Sequence, residues 1–175
     1  MFKRTTIRLL GFLFVFVFYT FTLMALLSQE YNLFLEPMSN LGMGTKGIFF
    51  NLGLIFSGFI GTLVVYGRYK HINKILTILG AFAMLSLSLV GIFPKPTILH
   101  GLFTGMMFVG MSSFFICYII VNRSLTTLMM LILFMIFPFC NISLSEWVVF
   151  FAVNGWIFVR STKFHSKISE KYTNL

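Results

Sequence analysis

The chain has 175 residues, enough for one domain, and its composition separates it from soluble proteins. Hydrophobic residues make up 58% of the sequence and charged residues only 10%, with 24 Phe and 11 Met. A soluble globular domain carries about 25% charged residues, so this chain has too few charges to cover a surface that faces water. The composition therefore predicts an integral membrane protein whose outer surface contacts lipid.

The net charge of +9 is consistent with that setting. The basic residues occur in short clusters between apolar runs, which is typical of topology signals and of contacts with anionic lipid head groups. We therefore expect no nucleic-acid partner.

Six apolar runs have roughly the ~20-residue length of a membrane-spanning helix. Only a short polar turn at 141–145 separates the last two, but one helix of roughly 35 residues would be ~50 Å long. That length exceeds the ~30 Å hydrocarbon core, so two spans are predicted. The predicted fold is all-α: one transmembrane domain over residues 1–175, with six spans and a cytoplasmic tail at 160–175. The spans are 7–27, 47–66, 75–93, 98–121, 125–142 and 144–159.

The distribution of Lys and Arg between the spans predicts the orientation of the bundle. The N-terminal segment, the 67–74 loop, the turn at Arg123 and the tail together hold eleven basic residues. The connections on the other side hold two, Lys46 and Lys95. The side with eleven is predicted to be cytoplasmic, so both termini lie inside. The expected location is the cell membrane, as a multi-pass protein.

This orientation gathers polar residues at the outer end of the bundle. Three of the four acidic residues map there, and His100 opens the fourth span at the same end. Polar groups at membrane depth are costly unless they pair or line a wet cavity. We therefore predict an outer polar cluster, which is either a functional site or a set of interactions at helix ends. Its predicted members are Glu36, Ser39, Asn40, Asn51, His100, Thr104, Asn141, Glu146 and Asn154.

The cluster offers a limited range of chemistry. The catalytic candidates are His100, Glu146 and Ser39, acting as general base and acid or as a hydrolytic triad, although no nucleophile elbow surrounds Ser39. Zinc and iron sites usually take three or more His, Cys or carboxylate ligands, so one His and a few Glu form a sparse set. We expect no metal and no cofactor.

Small residues at helical spacing predict close packing between helices. Gly101 and Gly105 form a GxxxG pattern in the fourth span. Ser57 and Gly61 are spaced in the same way in the second span, with Gly53 nearby. The expected role is packing within the chain, and the alternative is a dimer face or a ligand groove.

Several stretches, in their order and spacing, resemble domain-of-unknown-function family 998, whose members are small prokaryotic integral membrane proteins. The resemblance covers residues from about 30 to 156 and implies a bundle of six or so spans. It implies no reaction, because the family has no established activity. The matching stretches are Glu36-Pro37-Met38-Ser39-Asn40-Leu41-Gly42, residues 50–58 (FNLGLIFSG), residues 90–94 (VGIFP) with His100, and residues 145–147 (SEW) with Trp156.

The sequence departs from the family at Asn40, a position that is often acidic in its members. If a carboxylate at that position does chemistry in the family, this protein lacks it. The resemblance adds weight to the matching positions Ser39, Asn40, Asn51, His100 and Glu146.

Two functional hypotheses follow. The first is a non-catalytic membrane subunit, or a lipid-binding or assembly protein, with a polar site at its outer face. The alternative is a membrane-embedded enzyme acting on a lipid or lipid-linked substrate at the outer leaflet through His100 and Glu146. Transport is a weaker alternative, since no inverted repeat is apparent. The expected partners are bilayer lipids, with other membrane subunits or a lipid ligand as further candidates.

The predicted orientation can be tested by cysteine labelling. A cysteine introduced in place of Glu36 is expected to react with an impermeant thiol reagent added outside the cell, because the first loop is predicted to be outside. Labelling of position 36 only from the cytoplasm would contradict the predicted topology.

Overall fold

A computed structural model of the chain describes residues 4–32, 35–140 and 142–162, and this part of the chain is all-helical. The six helices coincide with the six predicted runs to within a few residues at each end. Predicted residue Asn141 and the tail beyond residue 162 lie outside the described residues. The helices are α1 (Arg4–Ser28), α2 (Ile48–Tyr69), α3 (Lys74–Ile92), α4 (Ile98–Asn122), α5 (Leu125–Cys140) and α6 (Ile142–Thr162).

The described helices have the character of membrane spans. Side chains such as Leu9, Val109 and Ile120 are 65%, 66% and 74% exposed, and so much exposed apolar surface is compatible with a lipid environment. A shorter apolar helical stretch lies in α5, at Leu125–Met135. Among the described residues, the helical segments long and apolar enough to cross a membrane are Thr5–Ser28, Thr45–Tyr69, Lys74–Ile92 and Ile98–Asn122.

The six helices form a closed ring. Each helix packs against the next in chain order, and α6 returns to pack against α1. The α1–α2 link is hydrogen-bonded to Lys95 and Glu146 at one end of the bundle, and Arg160 is hydrogen-bonded to Ser124 at the other, so the links alternate between two ends. We call the end with Glu30, Glu36 and Glu146 the acidic end, and the end with Arg68 and Arg160 the basic end.

Local sequence determines where the helices begin and end. The side chain of Asn73 caps α3 by accepting a hydrogen bond from the Leu76 N–H at 3.0 Å. Thr97 caps α4 in the same way, accepting from the His100 N–H at 3.3 Å. Such caps satisfy backbone donors that the first turn leaves without a partner. The cap at Thr97 places His100 in the first turn of α4, at the acidic end.

The link between α1 and α2 is part of the core. It contains two short 3-10 segments, Met38–Gly42 and Thr45–Gly47. Met38 and Leu41 are 1% and 0% exposed and belong to an apolar cluster with Phe18 and Trp147. The link therefore inserts its apolar side chains into the acidic end of the ring.

Close helix packing occurs where α2 meets α3 and α1. A Cβ added at Gly58 would lie 2.5 Å from the Met84 carbonyl oxygen, and one at Gly61 would lie 2.6 Å from the Met84 Sδ. A Cβ at Gly53 would lie 2.8 Å from the Phe21 Cβ. Ser57 is fully buried in the same region.

Gly101 and Gly105 do not pack in this way. No described heavy atom lies within 4 Å of a Cβ added at either position, so the described residues show no close packing at this GxxxG pattern. Helix α4 approaches α3 through Gly110, where an added Cβ would lie 2.8 Å from the Phe82 ring. At ~100° per residue, Gly101 lies on the opposite side of α4 from Gly110.

The contact at Gly58 predicts a stability effect. Gly58→Ala is expected to lower the free energy of unfolding by about 1–3 kcal/mol, because the new methyl group meets backbone atoms of α3. Gly105→Ala is the matched control and is expected to be neutral or slightly stabilising, because it adds helix propensity in open space. The two variants can be compared by denaturant titration in detergent, and equal stabilities would contradict the packing described.

A candidate ligand cavity at the acidic end

Side-chain amides hold the link in place. The Gln29 Nε2 donates to the Leu41 carbonyl at 3.1 Å, and the Asn51 Nδ2 donates to the Gly42 carbonyl at 3.0 Å. These bonds satisfy carbonyl groups of a 3-10 segment that lies partly inside the bundle. The predicted cluster member Asn51 therefore supports the link from α2.

The part of the link around Glu36 is held by Tyr31. Its hydroxyl donates to the Glu36 carbonyl at 2.6 Å. Burial, with the negative charges of Glu146 and Glu36, raises the pKa of Tyr31 to about 12, so the phenol keeps its proton and remains a donor. The Glu36 carboxylate accepts from the Asn32 N–H at 3.4 Å, and this bond is exposed.

A carboxylate from α6, which packs beside α1 in the ring, holds the link. The Glu146 Oε2 accepts from the Ser39 N–H at 2.8 Å, and its Oε1 accepts from the Ser39 hydroxyl at 3.2 Å. Hydrogen bonds to a charged group each contribute about 1.5–3 kcal/mol where they are shielded from water. Both bonds here are partly buried, so this contact ties together residues 107 positions apart in the sequence.

A lysine lies on the link between α3 and α4. Lys95 is half-buried, and its Nζ donates to the Asn40 Oδ1 at 3.4 Å. Sequence reasoning treated Lys95 only as a topology charge and missed it as a site residue. The sequence does contain a signal for this role: Lys95 lies five residues before His100, in a connection predicted to lie at the same end of the bundle.

His100 is 7% exposed, and its ring orientation follows from one contact. The Nδ1 lies 3.2 Å from the Phe93 carbonyl oxygen. A carbonyl can only accept, so Nδ1 carries the hydrogen, and in the neutral ring Nε2 keeps its lone pair. His100 can therefore act as an acceptor or a base through Nε2.

These groups meet around a cavity of about 220 Å³. This volume is large enough to hold several water molecules or a small polar group. The Thr104 Oγ1 is buried and has no hydrogen-bond partner among the described residues. The polar lining residues are Ser39, Lys95, His100, Thr104 and Glu146, and the others are Phe50, Leu54, Val90, Gly101, Met107, Phe108 and Phe150.

A smaller cavity of about 20 Å³ lies beside the first, and Met107 and Phe150 line both. Asn154 lines the smaller cavity and is 2% exposed. Its Nδ2 donates to the Phe150 carbonyl at 2.7 Å, whereas its Oδ1 has no partner in the described part of the chain.

The larger cavity brings together four members of the predicted cluster: Ser39, His100, Thr104 and Glu146. Asn40 and Asn51 do not line the cavity. Asn40 accepts a hydrogen bond from Lys95, and Asn51 donates one to the Gly42 carbonyl. Glu36 bonds within the link, and Asn154 lies at the smaller cavity.

The hydrogen bonds do not form a hydrolytic triad. The Ser39 hydroxyl donates to Glu146, and His100 is bonded to a backbone carbonyl, so no recorded bond joins the predicted nucleophile to the predicted base. Within the described ranges, no three His, Cys, Asp or Glu side chains lie close enough together to hold a metal ion. The arrangement presents a cation, an anion and a neutral acceptor beside an apolar wall.

Comparison with known proteins identifies the family. The model described as "Protein of unknown function (DUF998)" matches residues 9–163, which confirms the resemblance seen in the sequence. No curated protein and no solved structure is significantly similar to the chain. The chain belongs to the DUF998 family.

Proposed function

We propose that the protein is a six-span plasma-membrane protein, with both termini in the cytoplasm, that binds an amphiphilic lipid without catalysis. The binding site is the cavity of about 220 Å³ at the acidic end. The observation that carries this proposal is the composition of the cavity wall, in which converging polar groups lie beside aromatic and aliphatic side chains. Ligand sites commonly combine a mostly apolar lining with a few placed polar groups.

The length and position of the last two helices support six spans. Helix α6 has 21 residues, or ~32 Å at 1.5 Å per residue, which matches a ~30 Å hydrocarbon core. Helix α5 has 16 residues and is ~24 Å long, short enough to require local thinning or a neighbouring polar turn. Both helices are needed to close the ring.

The charges at the two ends support the orientation. Arg68, Lys70, Arg123 and Arg160 lie at the basic end, and the described carboxylates lie at the other end. Cytoplasmic connections are enriched in Lys and Arg, so the basic end is the cytoplasmic one. The cavity then lies in the outer half of the membrane.

The position of Gly101 supports access for a lipid. Gly101 lines the cavity and is exposed, and an added Cβ there would meet no described atom. The cavity wall therefore reaches the surface of α4. A ligand groove is among the roles that the spacing of this glycine pair predicts.

Binding is favoured over catalysis because Ser39 and His100 both donate to other partners. The alternative, an enzyme acting on a lipid or lipid-linked substrate, has one observation in its favour. The His100 Nδ1 bond leaves Nε2 with a lone pair in a cavity that also contains Glu146, so a bound substrate with an acidic proton would meet a base.

Filling the cavity tests the proposal. Gly101→Leu is expected to reduce the phospholipid that co-purifies with the full chain in mild detergent by at least about half, because the new side chain occupies ligand volume. Gly105→Leu is the matched control. It lies one turn along the same helix, is equally open, and does not line the cavity, so its bound lipid should equal that of the unmodified protein.

Bound lipid can be counted by extraction and mass spectrometry after normalisation to protein. Equal lipid content in the Gly101 and Gly105 variants, with both folded, would contradict binding in this cavity.

A further inference from the structure

We propose that the cavity recognises a head group carrying both an anionic oxygen and a primary ammonium, as in an aminophospholipid with a phosphoethanolamine head. This inference rests on the proposed lipid-binding function and names the class of ligand. It follows from the hydrogen bonds of Lys95 and Glu146, the two charged residues that line the cavity.

Lys95 and Glu146 line the same cavity, but each is hydrogen-bonded to a neutral residue. Lys95 donates to the Asn40 amide at 3.4 Å, and Glu146 accepts from Ser39. Each charge in a partly buried cavity has a desolvation cost that a partner of opposite charge can offset. A ligand of two opposite charges placed between them would pair with both, whereas a ligand of one charge would attract one and repel the other.

Both charged groups have hydrogen-bonding capacity left. An ammonium has three donors, and Lys95 uses one of them on Asn40. A carboxylate has about four lone-pair positions, and Glu146 uses two of them on Ser39. The remaining Lys95 donors suit the oxygens of a phosphate, as does the Thr104 hydroxyl, which has no hydrogen-bond partner among the described residues.

The acceptors of the cavity favour a cationic head group that carries N–H donors. Glu146 and the His100 Nε2 can accept N–H donors, and a trimethylammonium group has none to give. A head that bears only hydroxyl groups would leave the Glu146 charge facing the phosphate. The cavity should therefore distinguish ethanolamine from choline and from glycerol.

The size of the cavity fits this head group. A cavity of about 220 Å³ is large enough to hold a phosphoethanolamine group, which is a small head group. Leu54, Val90 and Phe150 on the remaining wall suit the first carbons of a lipid and give no partner to further charges.

The inference is tested by measuring binding of lipids that differ only in their heads. The full chain in detergent would be titrated with phosphatidylethanolamine, phosphatidylcholine and phosphatidylglycerol of identical acyl chains, and with soluble phosphoethanolamine, by native mass spectrometry. The ethanolamine lipid is expected to bind at least about tenfold more tightly than the other two lipids, the factor expected from one charge-assisted hydrogen bond.

Two variants test the contributions of Lys95 and Glu146 to lipid affinity separately. Lys95→Met is expected to weaken both phosphatidylethanolamine and phosphatidylglycerol by about tenfold. Glu146→Gln is expected to weaken phosphatidylethanolamine but strengthen phosphatidylglycerol, because it removes the charge that repels an anionic head. A gain of affinity cannot arise from partial unfolding. Lys46→Met and Glu30→Gln alter exposed residues outside the cavity lining and should leave all affinities unchanged.

Equal affinities for the three lipids, or tighter binding of phosphatidylglycerol by the unmodified chain, would overturn the head-group inference and leave the proposed function standing. Retention of no lipid at all would overturn both. Soluble phosphoethanolamine binding as tightly as the lipid would support the head-group inference and overturn the assignment of the ligand as a lipid.

Discussion

The contact between Ser39 and Glu146 is the interaction on which the acidic end of this protein depends. It joins the α1–α2 link to the first turns of α6 through both oxygens of one carboxylate. With Met38 and Leu41 buried in the bundle, the link closes this end and forms part of the cavity wall. Without this tie, Lys95, His100 and Thr104 would line an open end of the bundle, where water would screen them.

Most of the fold could be predicted from the sequence, because membrane helices are specified by simple local signals. Runs of ~20 apolar residues and short polar connections placed all six helices within a few residues of their observed bounds. The placement of Ser39, His100, Thr104 and Glu146 around one cavity also followed the prediction of a cluster at one end. That prediction needed only the direction of each helix and the position of its polar residues.

The parts that could not be predicted depend on rotation and on long-range contacts. A GxxxG spacing does not state which way its helix faces, and α4 turns Gly101 and Gly105 away from its contact with α3 at Gly110. Lys95 was missed because the fold of its short link decides whether a side chain points to solvent or inward. The pairing of Ser39 with Glu146 spans 107 residues, beyond the reach of any local pattern.

The most direct test of this account is a double-mutant cycle between Ser39 and Glu146. The free energy of unfolding in detergent would be measured for Ser39→Ala, Glu146→Ala and the double variant, with Ser39→Ala and Glu36→Ala as the control pair. The account predicts a coupling energy of at least ~0.5 kcal/mol for the first pair and none for the control. If the changes in unfolding free energy for Ser39→Ala and Glu146→Ala were additive, the two residues would not interact. That result would contradict the contact between the link and α6 and the cavity that depends on it.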